Sequence, residues 1–235
     1  MLRSGAHAPF LEREPLSPVA NSSARSVPPS REMTPQMSDT SAPNAGVLGR
    51  LRSETQGEHA AIEQTLDLMR EQFSIDDYRG ILERFFGFYR PVEWQFARAT
   101  VPAEVEALLT LRPREPLLRA DLVALGGREP DSLPLCLDLP PLRTAAQCLG
   151  CLYVMEGATL GGQVLSRHLE RTLGLTPDNG ARFFCGDGPR TGEMWKAFRT
   201  AFTGFVTPEA QDEVVASAIA SFRALRAWCA AGRVS

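Results

Sequence analysis

The stretch that most constrains this chain is Tyr153-Val154-Met155-Glu156-Gly157-Ala158-Thr159-Leu160-Gly161-Gly162-Gln163-Val164-Leu165. It lies inside a segment, roughly Leu142 to Leu173, that otherwise has the apolar spacing of one long helix and no internal proline. A glycine in a helix interior costs about 1 kcal/mol relative to alanine. Three of them cost roughly 3 kcal/mol, a large part of the about 5–15 kcal/mol by which a domain is stable. A helix that keeps them needs bare backbone. Gly157 and Gly161 are four residues apart and share a face, with Gly162 beside them. Such a face can bend and lets a flat surface approach the main chain. Two readings stand open: a close crossing with another helix, or a wall against which a ligand lies. Glu156, Arg167, His168, Glu170 and Arg171 exclude a membrane span.

Composition narrows the field. The 235 residues allow one sizeable domain and a tail. A net charge of −3 and a pI near 5.7 argue against a nucleic-acid or anionic-membrane partner. Five cysteines without framework spacing point to a reducing, cytoplasmic setting. Cys148 and Cys151 form a C-x-x-C inside the long apolar helix, without the partner pair or nearby histidine that a zinc site needs. His7, His59 and His168 are the only histidines, too few for a multi-histidine metal site.

Residues 1–45 hold seven prolines and eight serines without hydrophobic period, the composition of a disordered tail. They lack the apolar core of a secretory signal, and their acids and prolines match a transit peptide poorly. Met33 and Met37 are alternative starts. From Val47 onward, Leu48, Leu51, Thr55, Glu58, His59, Ile62, Leu66 and Met69 recur at helical steps. Ser74 with Asp77 in the reciprocal capping position opens a helix through Tyr78, Phe85, Phe86 and Tyr89, with a kink expected at Pro91. Pro102 starts a short helix through Leu109, and residues 112–141 read as loops around one helix near Leu117–Leu125. After the glycine-bearing helix, Pro177–Gly192 reads as a loop before a helix carrying Trp195, Phe198, Phe202 and Phe205. Thr207-Pro208-Glu209 then opens a last helix through Trp228. No strand pattern stands out. The expected fold is an all-α domain over residues 46–232.

His59 is the histidine on a helical face with apolar residues, where a lone histidine is ordinarily a satisfied core residue. Its neighbours alter that reading. Glu63, four residues on, can hold one ring nitrogen and leave the other for a metal. Arg52, seven residues before, projects from the same face about 10 Å away, where a cation suits the acidic edge of a planar cofactor.

These residues carry a resemblance. Leu51 to Glu63 resembles the proximal helix of haem oxygenases, and Tyr153 to Leu165, continuing through Ser166-Arg167-His168-Leu169, resembles their distal helix. The distal wording is most similar to bacterial haem oxygenases associated with bacteriophytochromes. The resemblance covers about residues 46–232. It implies that His59 is the proximal ligand to haem iron, that Glu63 holds that histidine, and that Arg52 pairs with a propionate. Gly157, Gly161 and Gly162 match the glycines of the kinked distal helix, and Tyr153 at its head joins the cofactor contacts. Lys196 and Arg199, in Trp195-Lys196-Ala197-Phe198-Arg199, resemble the basic residues facing the other propionate, though a solvated basic face reads nearly as well. Phe85, Phe86, Phe198 and Phe202 are core by default, with one or two, Phe198 among them, expected against the haem plane.

The resemblance implies haem as substrate and cofactor, O2 as co-substrate, and biliverdin, CO and ferrous iron as products. Electrons would come from a ferredoxin- or flavodoxin-type reductant, and a bacteriophytochrome would be the bilin's recipient. A histidine ligand on one side leaves the sixth iron position open to oxygen. A glycine wall has no side chain to hold bound oxygen upright and can press it toward the ring's own meso edge. One departure matters: many family members place an aspartate after the first distal glycine, and this chain has Ala158. Glu156 precedes Gly157 and points to another face, which makes it a poor substitute. His168, two turns past Gly161, reads as a pocket-rim or surface residue. The alternative reading is a haem-binding or haem-transfer protein on the same fold without ring cleavage. A thiamine-degrading or di-iron relative and a purely structural helical partner complete the set.

Overall fold

A computed structural model describes residues 46–70 and 72–231, and for Thr159 and Leu160 the backbone alone. The tail assigned to residues 1–45, and residue 232, lie outside the described residues. Among the described residues eight α-helices follow one another: α1 (Gly46–Leu66), α2 (Ile75–Phe96), α3 (Ala103–Thr110), α4 (Glu115–Leu125), α5 (Ala145–Leu173), α6 (Arg182–Cys185), α7 (Thr191–Phe205) and α8 (Gln211–Ala231). Among the described residues there is no strand, so the domain is all-α as its spacing predicts.

The helix ends follow from local chemistry. Asp77 N–H donates to Ser74 Oγ at 3.1 Å and Ser74 N–H donates to Asp77 Oδ2 at 2.9 Å, closing the expected capping box. These bonds and Arg70 hold the Asp77 carboxyl at about 2. Pro91 lies inside α2, which continues unbroken through it. Proline has no N–H, so the carbonyl of Gly87 loses its helical donor. Cys136 N–H takes that place at 2.8 Å, so the extended 133–141 segment is moored across α2. Gly87 permits the approach: a Cβ there would stand 2.5 Å from the Pro134 carbonyl oxygen and 2.8 Å from the Trp228 ring.

Two expectations are corrected. The Pro177–Gly192 stretch is not all loop, because α6 and a 3-10 turn at Gly188–Arg190 lie within it. Asp121 of α4 accepts from the amides of Arg182 and Phe183 at 2.8 and 2.7 Å, capping a helix that no local side chain caps. Thr207-Pro208-Glu209 opens a 3-10 turn, Pro208–Ala210, and α8 follows from Gln211 without a Thr207 side-chain cap.

α5 and α8 are apolar and long enough to pass for membrane spans by composition, but they pack on each other within this domain. Gly150 brings them together: a Cβ there would lie 2.3 Å from the Val214 carbonyl oxygen. Ser217 Oγ also donates to the Gln147 carbonyl at 2.7 Å. α8 also packs along α1, through Arg50 to Asp212 at 2.7 Å and Arg223 to Glu58 at 2.6 Å. The three helices run in the same direction, with α8 as a shared backing. α1 and α5 themselves are nearly out of contact.

Candidate functional site

Tyr153 marks where α1 and α5 meet. Its hydroxyl is within hydrogen-bond reach of Thr55, and the charges of Arg52 and Arg199 act on it. Burial is the larger effect and pushes its pKa up. Its ring stands 6.4 Å from Trp195 and 6.2 Å from Phe202 of α7. From this junction, His59 lies one turn onward along α1 and Gly157 one turn onward along α5.

At about 100° per residue, Gly157 and Gly161 leave α5 within about 80° of Tyr153, whereas Gly162 points about 180° away. The packing agrees. Among the described residues, a Cβ on Gly157 or Gly161 would meet no atom within 4 Å. A Cβ on Gly162 would fall 2.2 Å from the Phe184 carbonyl oxygen of α6. The two readings of the glycine stretch are therefore divided between its faces: Gly162 permits a close crossing, and Gly157 and Gly161 present bare backbone to open space.

His59 is not sunk in the core. Its side chain is 52 % exposed, and its ring stands edge-on to Phe222 of α8 with centroids 5.8 Å apart. Nδ1 lies 3.5 Å from Glu63 Oε2, longer than a normal hydrogen bond, and Nε2 is the nitrogen left for a ligand. Arg52 is exposed on the same helix. On α7, Arg199 comes beside Tyr153, while Lys196 lies exposed one turn earlier. Phe198 is buried, stacked on Trp195 at 5.3 Å, and so belongs to the wall behind the indole. Phe85 and Phe86 are core residues; Phe85 packs on Phe183 and Phe184 under α6.

His168 is corrected from rim to interior. It is 5 % exposed, with Nδ1 3.2 Å from Arg171 Nη2. Burial first, and Arg171 second, lower its pKa. Glu156 is buried too, paired with Arg112 at 2.9 Å and Arg114 at 3.3 Å on another side of α5. Arg112, Arg114 and Phe222 were not singled out from sequence, and Trp195 was read only as a helix residue beside Lys196. A groove of about 670 Å³ lies elsewhere, where Pro140 and Pro141 face Ile219 and Arg223. It shares no residue with the glycine face.

Fold and site together define an all-α domain with an imidazole and a bare-backbone wall carried by separate helices on a common backing. Residues 45–231 match the family model described as heme oxygenase, and the chain belongs to that family. A heme oxygenase of Xanthomonas campestris pv. campestris is 42 % identical over 60 residues, 26 % of this chain and 33 % of that relative, so the alignment spans a third of its length. The heme oxygenase of Neisseria meningitidis, solved with NO and CO bound, superposes with a TM-score of 0.67 at 23 % identity, over 80 % of this chain and 92 % of that one. That of Leptospira interrogans gives 0.64 at 19 %, over 80 % and 100 %. At those identities the likeness is one of fold.

Proposed function

We propose that this protein is a haem oxygenase, cleaving haem to biliverdin, CO and ferrous iron with O2 and an external electron donor. The observation that carries the reading is the division of the glycines: Gly157 and Gly161 face open space on the side of α5 that Tyr153 turns to α1. The residues fit a flat, acid-edged iron macrocycle. His59 offers Nε2 to iron and Glu63 steadies the ring from Nδ1. The charges of Arg52 and Arg199 both act on Tyr153, two cations on the side where a propionate edge would lie, with exposed Lys196 one turn earlier on α7. Among the described residues the buried indole Nε1 of Trp195 finds no acceptor, a donor that a bound acid or its water would satisfy. When bound, haem supplies both the iron at which O2 is reduced and the ring that is opened.

The chain's own part is to orient and to exclude. Gly157 and Gly161 leave room above the ring without a side chain to fix what enters there, and Ala158 supplies no acid. Phe222 keeps the His59 ring on edge. We infer further that a ferredoxin- or flavodoxin-type protein is the reductant, that the setting is cytoplasmic, and that the bilin goes to a bacteriophytochrome. The second reading, a haem carrier that does not cleave, is favoured by Ala158, which offers no acidic group where oxygen would be activated.

Haemin titration followed by visible spectroscopy tests this. A Soret band that decays under ascorbate or ferredoxin in air, with biliverdin appearing, is expected. A band that persists leaves the carrier. His59→Ala removes the nitrogen that would hold the iron, and turnover is expected to collapse until imidazole is added; an unchanged spectrum removes His59 from the mechanism.

A further inference from the structure

Behind the glycine wall lies a buried set of charges that the site itself does not use. Glu156, 3 % exposed, immediately precedes Gly157. Its Oε2 lies 2.9 Å from Arg112 Nη1 and 3.3 Å from Arg114 Nη2, and Arg112 reaches on to Asp187. Arg114 is itself placed: Glu93 of α2 accepts the Arg114 and Glu115 amides at 2.7 and 3.0 Å, capping α4 where this arginine begins it. The far end of the glycine stretch is tied to the same segment, since Gln163 Nε2 donates to the Gly188 carbonyl at 3.1 Å. Between these ties Gly162 rests on the Phe184 carbonyl. Residues 184–188 thus run as a splint along the part of α5 whose three glycines make it the softest. The side chain of Glu156 leaves α5 about 100° from Gly157 and about 140° from Gly161, so the splint holds the helix from outside the open face.

We propose that the Arg112–Glu156–Arg114 cluster, extended to Asp187, is the positioning element that fixes how near the Gly157–Gly161 wall stands to the ligand. This rests on reading the space between α1 and the Gly157–Gly161 face as a haem site. α1, the opposite wall, is anchored on α8 through Arg50, Glu58 and His59, a separate part of the fold. Loosening the cluster therefore moves one wall and leaves the other. A carboxylate deprived of charge leaves two guanidiniums without their shared partner, so the effect is local and one-sided.

The test uses the full chain with Glu156→Gln and Asp187→Asn. Hydrogen exchange of the ligand-free protein is expected to quicken about tenfold or more at amides 157–163, while α1 keeps its wild-type rate. In haemin-loaded protein the Soret band at low pH stays, because His59 is untouched. The midpoint of the ferric acid–alkaline transition, which reads the distal side, moves by more than about half a pH unit, a factor of about three in the ionisation constant. Leu137→Ala, at a side chain 93 % exposed and outside the cluster, is the control and leaves both readings at wild type. Should Glu156→Gln fail to fold, Asp187→Asn carries the test, since its side chain is 27 % exposed. Exchange at 157–163 within about twofold of wild type, with the transition unmoved, overturns the proposal. A wild-type protein without a Soret band sinks the haem reading instead, and the exchange measurement still decides the splint.

Discussion

Gly157, Gly161 and Gly162 carry the same side chain and face different surroundings, which makes them separable by the smallest substitution available. Gly162→Ala puts a methyl 2.2 Å from the Phe184 carbonyl oxygen, a backbone atom that cannot swing aside. A loss of about 1–3 kcal/mol in urea denaturation is expected. Gly161→Ala puts its methyl into open space within a helix, so the ligand-free protein gains about 0.5–1 kcal/mol while haem turnover falls. The reverse order of stabilities would mean that the two faces of α5 have been exchanged. The repeat of glycine was legible in the sequence; its division was not, because α6 lies twenty residues downstream and has no signal of its own.

At the scale of elements, the helices are held by side chains borrowed from elsewhere. Asp121 of α4 caps α6, and burial outweighs its two amide bonds to push its carboxyl up from 3.8 to about 6. The folded state therefore binds this proton more tightly than the unfolded chain. Its contribution to stability is complete below about 3.8 and is lost as pH rises through about 6. Relative to Asp121→Asn, the wild type should lose about 2 kcal/mol between pH 4 and 7.5, measured by urea denaturation at both. A constant difference would show that the carboxyl titrates alike in both states. α8 lends Phe222 to His59, and Phe222→Ala should cost about 3 kcal/mol and weaken haemin binding as the imidazole loses its edge contact. Equal haemin affinity in that variant would leave Phe222 as packing alone.

At the scale of the molecule, α8 backs both α1 and α5, and Tyr153 of α5 reaches Thr55 of α1, so the proposed haem site lies between two helices held on a common support. A ligand that fills it stabilises the folded state alone. Haemin at a hundredfold above its dissociation constant adds about 2.7 kcal/mol, and the melting temperature should rise by roughly 5–10 °C. The rise should shrink in His59→Ala, and a shift of equal size there would place the ligand elsewhere.

Helical spacing, the Ser74–Asp77 cap and the paired His59 and glycine stretches are local patterns, and local sterics and hydrogen bonding are enough to specify them. They gave the all-α class, the main helices and the family. What lay beyond them came from residues far apart in the chain. His168 turned inward, Glu156 was claimed by Arg112 and Arg114, and Gly162 was taken by α6. Which face of a helix is buried depends on what packs against it, and a single helix's periodicity holds no record of its neighbours.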